Sequence, residues 1–189
     1  MTTTLQRIAY SPLWLLLHAV ALLPLGALYA LSDVLAWVAA SVVRYRRRLV
    51  EANIAAAFPD KTEAERRDIV KRFYRNFTDV FVETIKLLHI SDEEMRRRMV
   101  FEGVEHVERI AKDGRSIGLY CSHFGNWEWI TSITLWVYRA DNVEYSQVYR
   151  PLRNKWFDRF WFNLRKRFHS TSIPKNGVLR ALLQARHNG

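Results

Sequence analysis

Nineteen consecutive residues, Leu13 to Leu31, carry no formal charge, and a second apolar stretch, Val34 to Val43, follows after Ser32 and Asp33. As one helix, the first run would reach about 28 Å at ~1.5 Å per residue, close to the hydrocarbon thickness of a bilayer. Pro24 and Gly26 interrupt that reading, because proline lacks the amide a continuous helix needs. A buried core helix and an interfacial hairpin bent at Pro24 therefore stand beside the membrane span. A cleaved signal peptide fits less well: the run is longer than a usual signal core, and Asp33 and the cluster Arg44 to Arg48 do not resemble a small-residue cleavage site. Only Arg7 precedes the apolar run, so the positive-inside bias places the following chain in the cytoplasm.

Behind this segment the chain reads as one folded domain. Hydrophobic residues make up 49% of it and aromatics 13%, which rules out a disordered polymer. The net charge of +10 calls for an anionic partner: nucleic acid, acidic lipid or a phosphorylated substrate. Cys121 is the single cysteine, so the chain has no intramolecular disulfide framework and no cysteine-based zinc site. The expected division is a membrane-anchoring segment, 1–44, and a domain over 45–189.

Thr62 and Glu65 form a capping-box pattern after Pro59. The helix they start carries Ile69, Val70, Phe73, Phe77, Val80, Phe81, Ile85 and Leu88 on an apolar stripe. Ser91 and Glu94 mark another helix start. Further on, "SIGLYCS" suits a buried strand, "WEWITSITLWVYR" a helix and "NVEYSQVYR" a second strand, with a short third at Ser170 to Ile173. The fold class is thus α/β, with a βαβ unit and parallel strands. Ligands of such sheets gather at the carboxyl ends of strands, where this reading puts His123 and Arg150.

His123 and Glu128 lie five positions apart. On one continuous helix they would point about 140° away from each other, so they meet only if a helix begins between them. Gly125 permits close backbone approach there, and Asn126 is a good N-cap. The spacing alone is weak evidence, since about 0.6 matches to His-x4-[Asp/Glu] are expected by chance in this composition. A second match, His89 to Glu94, is explained by the Ser91 cap. A structural reading stays open: Glu128 favours the helix dipole and His123 satisfies a local carbonyl. The chemical reading has the imidazole take a proton from an attacking alcohol while the carboxylate orients the ring. Cys121 is an alternative nucleophile, although a small residue in a buried strand is its ordinary role.

With "HFGNWE" after an apolar strand, "VYRPLRN" after the next, and "ANIAAAFPD" behind a membrane segment, the chain resembles the bacterial lipid A biosynthesis acyltransferases of the lysophospholipid acyltransferase superfamily. The resemblance implies acyl transfer from an acyl-carrier-protein or coenzyme A thioester to a glycolipid hydroxyl at the cytoplasmic face of the inner membrane. It makes His123 and Glu128 the catalytic pair. Arg150, Asn154, Gly125 and Asn126 become substrate-binding positions, with no metal or organic cofactor. The chain ends at "LLQARHNG", before the family's later strands, and reads as an N-terminal portion.

In "KWFDRFWFNLRKRF", Trp156, Phe157, Phe160, Trp161, Leu164 and Phe168 share one helical arc, while Arg159, Arg165 and Lys166 lie mainly outside it. Core packing is the expected use of the arc, and anionic headgroups or an acidic carrier protein that of the basic face. No nucleic-acid-binding motif accompanies the charge, so nucleic acid is not an expected partner.

Overall fold

The computed structural model describes residues 4–137 and 144–188. They are mostly helical, with one two-stranded parallel sheet. The chain forms two compact units, residues 17–86 and residues 1–16 with 87–189. The expected boundary at Tyr45 falls inside the first unit.

Pro24 divides the long apolar run. Helix α1 covers Thr4–Leu22 and α2 covers Leu25–Trp37, continuing as a π-helix through Val38–Val42. The continuous apolar segment is therefore Leu25–Val42 and not Leu13 to Leu31. After a turn in which Arg44 and Arg46 take positive φ, α3 (Arg47–Ala57) leads to α4 (Glu63–Lys86). The Thr62–Glu65 capping box forms as expected: the Thr62 amide donates to Glu65 Oε2 at 2.8 Å and the Glu65 amide to Thr62 Oγ1 at 3.3 Å.

The packed face of α4 differs from the expected stripe. Val70, Tyr74, Thr78 and Val82 are buried, whereas Phe73 and Phe81 are 41% and 47% exposed. Hydrogen bonding accounts for the rotation. Ser32 and Thr78 share a bond of 2.9 Å, Tyr74 donates to the Tyr45 carbonyl at 2.7 Å, and Tyr29 donates to Glu83 at 2.8 Å. Lys86 Nζ donates to the carbonyls of Ala21 and Leu23, whose position at the end of α1 leaves them without an intrahelical partner. Apolar periodicity does not register such pairings.

In the other unit, α5 (Asp92–Arg98) is capped by Ser91 Oγ, which accepts from the Glu94 amide at 3.1 Å, and α6 (Val104–Lys112) follows. The expected strand at 116–121 does not form. Residues 115–125 are exposed, those at 116–121 pair with no strand among the described residues, Tyr120 is 99% accessible, and Cys121 lies open to solvent instead of inside a strand. A strand is stable when a neighbour completes its ladder and a layer covers its apolar side chains, and among the described residues this segment has neither.

The helix expected over "WEWITSITLWVYR" is a 3-10 helix over Trp127–Leu135; residues 138 and 139 lie outside the described residues. Side chains explain the tightening. Thr131, Ser132 and Thr134 each donate to the carbonyl three residues back, and β-branched Ile130, Thr131, Ile133 and Thr134 crowd an α-helical backbone. The second expected strand appears as β1, Ser146–Tyr149; residues 142 and 143 lie outside the described residues. It pairs in parallel with β2 (Thr171–Pro174), Ser146 opposite Thr171 and Tyr149 opposite Pro174. The crossover between them is α7 (Lys155–Arg165), so the βαβ unit sits one element later than expected. Helix α8 spans Val178–Asn188.

Phe160, Leu164 and Phe168 are buried, as expected for the aromatic arc of α7. Leu164 and Phe168 join Leu87, Ile90, Met95 and Trp129 in one core cluster, which sets the 3-10 helix against the crossover helix.

Candidate functional site

The 3-10 helix places Glu128 one residue before the buried Trp129. Asn126 performs the expected cap, its Oδ1 accepting from the Glu128 amide at 3.2 Å. Gly125 has φ of +57°, and among the described residues nothing beyond its own chain neighbours lies within 4 Å of where a Cβ would stand. It is the left-handed conformation, rather than a close approach by this chain, that favours glycine there.

Glu128 is anchored by a residue that the sequence pattern had assigned to a solvated face. Arg165 turns inward from the last turn of α7 and grips the carboxylate with both arms, Nη2 to Oε1 at 2.6 Å and Nε to Oε2 at 2.9 Å. The two side chains are only 16% and 12% exposed. Such a two-pronged bond between opposite charges is strong and fixes the plane of the carboxylate. The same guanidinium lies 5.9 Å from the centroid of Tyr149, at the end of β1. Burial pushes the Tyr149 hydroxyl's pKa up, Asp158 adds to the rise and Arg165 opposes it. Arg165 thus ties the 3-10 helix to the carboxyl end of the sheet, beside exposed Arg150.

His123 is exposed, its ring tilted at 54° to Trp127 with centroids 4.9 Å apart. Among the described residues no hydrogen bond joins it to Glu128. The structure therefore brings Glu128, Tyr149 and Arg165 together and leaves the imidazole on the neighbouring loop. Asn154 uses both ends of its amide. Its Oδ1 accepts from the amides of Trp156 and Phe157, capping α7, and its Nδ2 donates to the Tyr10 hydroxyl at 2.8 Å. Tyr10 also stacks on Trp156 at 4.9 Å. Among the described residues no cluster of three His, Cys, Asp or Glu side chains is arranged to hold a metal ion.

Arg165 is the residue that sequence reasoning missed. Its signal was present: Leu164 and Phe168 flank it on the core arc, and a helix turn advancing 100° per residue brings position 165 to the edge of that arc.

A glutamate held at a 3-10 helix start, an exposed histidine five residues before it and an arginine at a strand's carboxyl end occur in a chain that belongs to the bacterial lipid A biosynthesis acyltransferase family, whose model matches residues 3–189. It is 22% identical over 146 residues to lipid A biosynthesis acyltransferase 2 of Shigella flexneri, covering 77% of this chain and 45% of that protein. Similarity to the lipid A biosynthesis acyltransferase of Haemophilus influenzae is 24% identity over 147 residues, 78% of this chain and 45% of the relative. To the lipid A biosynthesis myristoyltransferase of Escherichia coli it is 21% over 143 residues, 76% and 43%. The chain spans about half the length of these curated relatives. No solved structure is a significant match.

Proposed function

We propose that the protein transfers a fatty acyl chain from an acyl-carrier-protein or coenzyme A thioester to a hydroxyl of a lipid A precursor or related glycolipid, at the cytoplasmic face of the inner membrane. Family membership supports the reaction class. The single observation that carries the site assignment is the low-exposure Glu128 carboxylate held in one plane by Arg165.

In this reading His123 takes the proton of the acceptor hydroxyl as its oxygen attacks the thioester carbonyl carbon. The C–S bond then breaks, and the proton passes from the imidazolium to the departing thiolate. Each carboxylate oxygen of Glu128 keeps a second acceptor direction beyond its Arg165 bond. An imidazole that leaves Trp127 can donate there without breaking the ion pair, and the carboxylate then stabilises the imidazolium. Arg150 meets the acceptor's phosphate. Gly125 and Asn126 shape the turn that presents His123, and Asn154 starts the helix that delivers Arg165. Residues 1–44 attach the protein to the membrane, with 45–189 contributing the transferase domain.

A second reading, a lipid-binding protein without turnover, draws on the separation of His123 from Glu128. One assay distinguishes the two. Protein is incubated with a lipid A precursor and each thioester donor, and precursor binding is measured beside acyl transfer. The expected outcome is transfer that His123→Ala lowers by about 10²-fold or more, with precursor binding retained. Transfer unaffected by His123→Ala removes the assigned base. Binding with no transfer from either donor favours the second reading.

A further inference from the structure

The apolar segment Leu25–Val42 has the length and composition of a transmembrane span, yet its packing points elsewhere. Helix α4 runs antiparallel to α2 along its whole length. Lys86 reaches the carbonyls of Ala21 and Leu23, Tyr29 meets Glu83, Ser32 meets Thr78, and Ala36 packs in a cluster with Tyr74. Midway along, Arg75 grips Asp33 with two bonds, at 2.7 and 3.2 Å, and both side chains are more than half exposed. A bilayer crossed by α2 would have to take in α4 as well, with these charges and those of Lys71, Arg72 and Asp68 next to them. Charged side chains at membrane depth are costly and face a protein interior or a water-filled cavity. If α4 instead detached, Ser32 and Asp33 would be left bare in hydrocarbon.

The pair nevertheless has an apolar side. Only 22% of the Leu25–Val42 window is buried, so α2 is no core helix. Its buried positions, Leu25, Leu28, Ser32 and Ala36, face α4. At 100° per residue, Leu31 and Leu35 fall on the flank opposite Asp33. On antiparallel α4 the same rotation puts Phe73, Phe77 and Phe81 on the flank away from Arg75, and their rings meet in series, Phe73 stacked on Phe77 at 6.0 Å and Phe77 edge-to-face with Phe81 at 5.0 Å. Phe77 also stacks on Tyr45, which sits among Arg44, Arg46 and Arg48. One flank of the two-helix layer thus carries the Asp33–Arg75 pair, with exposed Trp37 one turn beyond Asp33, and the other is aliphatic and aromatic with cationic side chains at its end. That is the layout of a structure lying in a membrane interface, apolar side down, with arginines against anionic headgroups.

We propose that α2 and α4 together form an in-plane membrane-docking surface for an anionic lipid bilayer, with Leu31, Leu35, Phe73, Phe77 and Phe81 in the acyl boundary, and that α2 does not cross the bilayer. The inference rests on the membrane attachment proposed above, extends it beyond residues 1–44 to α4, and is independent of the transfer reaction, because its test reads binding and sidedness alone.

The test uses the full chain with sealed vesicles of phosphatidylcholine, with and without phosphatidylglycerol. In a Cys121→Ser background, single cysteines replace Gly26, where an added Cβ meets nothing within 4 Å, and Lys61 near the start of α4. An impermeant maleimide added outside is expected to label both at similar rates. A Gly26→Cys protein protected until detergent is added, while Lys61→Cys labels, would show a crossing helix and overturn the proposal. Phe73→Ser, Phe77→Ser and Phe81→Ser combined should weaken partition by about tenfold or more, with helix content by circular dichroism unchanged. Unchanged partition overturns the assigned flank. Replacing Arg44, Arg46 and Arg48 by Gln should abolish the preference for phosphatidylglycerol vesicles. Self-association by the wild-type chain without binding to either vesicle would assign the apolar flank to a second copy instead.

Discussion

Two arginines in this protein grip carboxylates in the same two-pronged way and stand in opposite surroundings. Arg75 and Asp33 tie α4 to α2 with side chains 62% and 52% exposed, whereas Arg165 and Glu128 tie α7 to the 3-10 helix at 16% and 12%. Geometry alone would rank them equal. Solvent separates them: water screens the first pair, so it marks register more than it adds stability, while the second leaves either partner poorly solvated if the other is removed. The surface pair identifies the polar flank of a helical layer. The enclosed pair fixes the one carboxylate that the proposed chemistry requires.

The sharpest way to break this contrast is to remove each arginine. Arg165→Ala strands Glu128, and the expected loss is about 3 kcal/mol of folding stability, at the low end for a broken buried pair because some solvent reaches it. Thermal or urea unfolding should show a large shift that added salt does not abolish, and Arg165→Lys should recover only part of it, since an ammonium cannot bridge both oxygens. A loss near zero would mean that Glu128 is better solvated than its exposure indicates. Arg75→Ala should cost less than ~1 kcal/mol, and the difference from wild type should vanish near 1 M salt, where the Debye length is about 3 Å. A cost equal to that of Arg165→Ala would erase the distinction.

The smallest effect lies at the start of α4. The Lys61 ammonium, together with the Thr62 amide and hydroxyl, holds the Glu65 carboxyl at about 2, below an ordinary value of 4.5. A depressed carboxyl pKa contributes stability that is present above the unfolded value and lost as pH falls through the folded one. Frayed α4 amides should therefore grow between about pH 4.5 and pH 2, as read by hydrogen exchange or NMR. Glu65→Gln retains the capping box and should remove the pH dependence. Unaltered acid fraying in that variant would place its cause elsewhere.

Local signals were legible where the interaction was local. The Thr62–Glu65 box, the Ser91 cap, the Asn126 cap on Glu128 and the break at Pro24 all appear where the residue types require them. The buried arc Phe160, Leu164 and Phe168 followed from helical spacing. Three readings went differently, each through a partner distant in sequence. Segment 116–121 has strand composition and no ladder. The aromatic stripe of α4 faces outward because Tyr74 and Thr78 make the hydrogen-bonded contact with the Tyr45–Ser32 side. Arg165 leaves the expected basic face because Glu128, 37 positions earlier, receives it.

By itself, then, the sequence determined the helix starts at Thr62, Ser91 and Asn126, the interruption of the apolar run and the places of the two strands that form, near 146–149 and 171–174. These follow from backbone chemistry and periodicity, which act over a few residues. Only the tertiary structure decided which face of α4 is packed, whether the run at 116–121 becomes a strand, and which side chain holds Glu128. Each of those depends on desolvation and on a partner brought close by folding, and the free energy of a charge or an unpaired amide is set by what surrounds it in space.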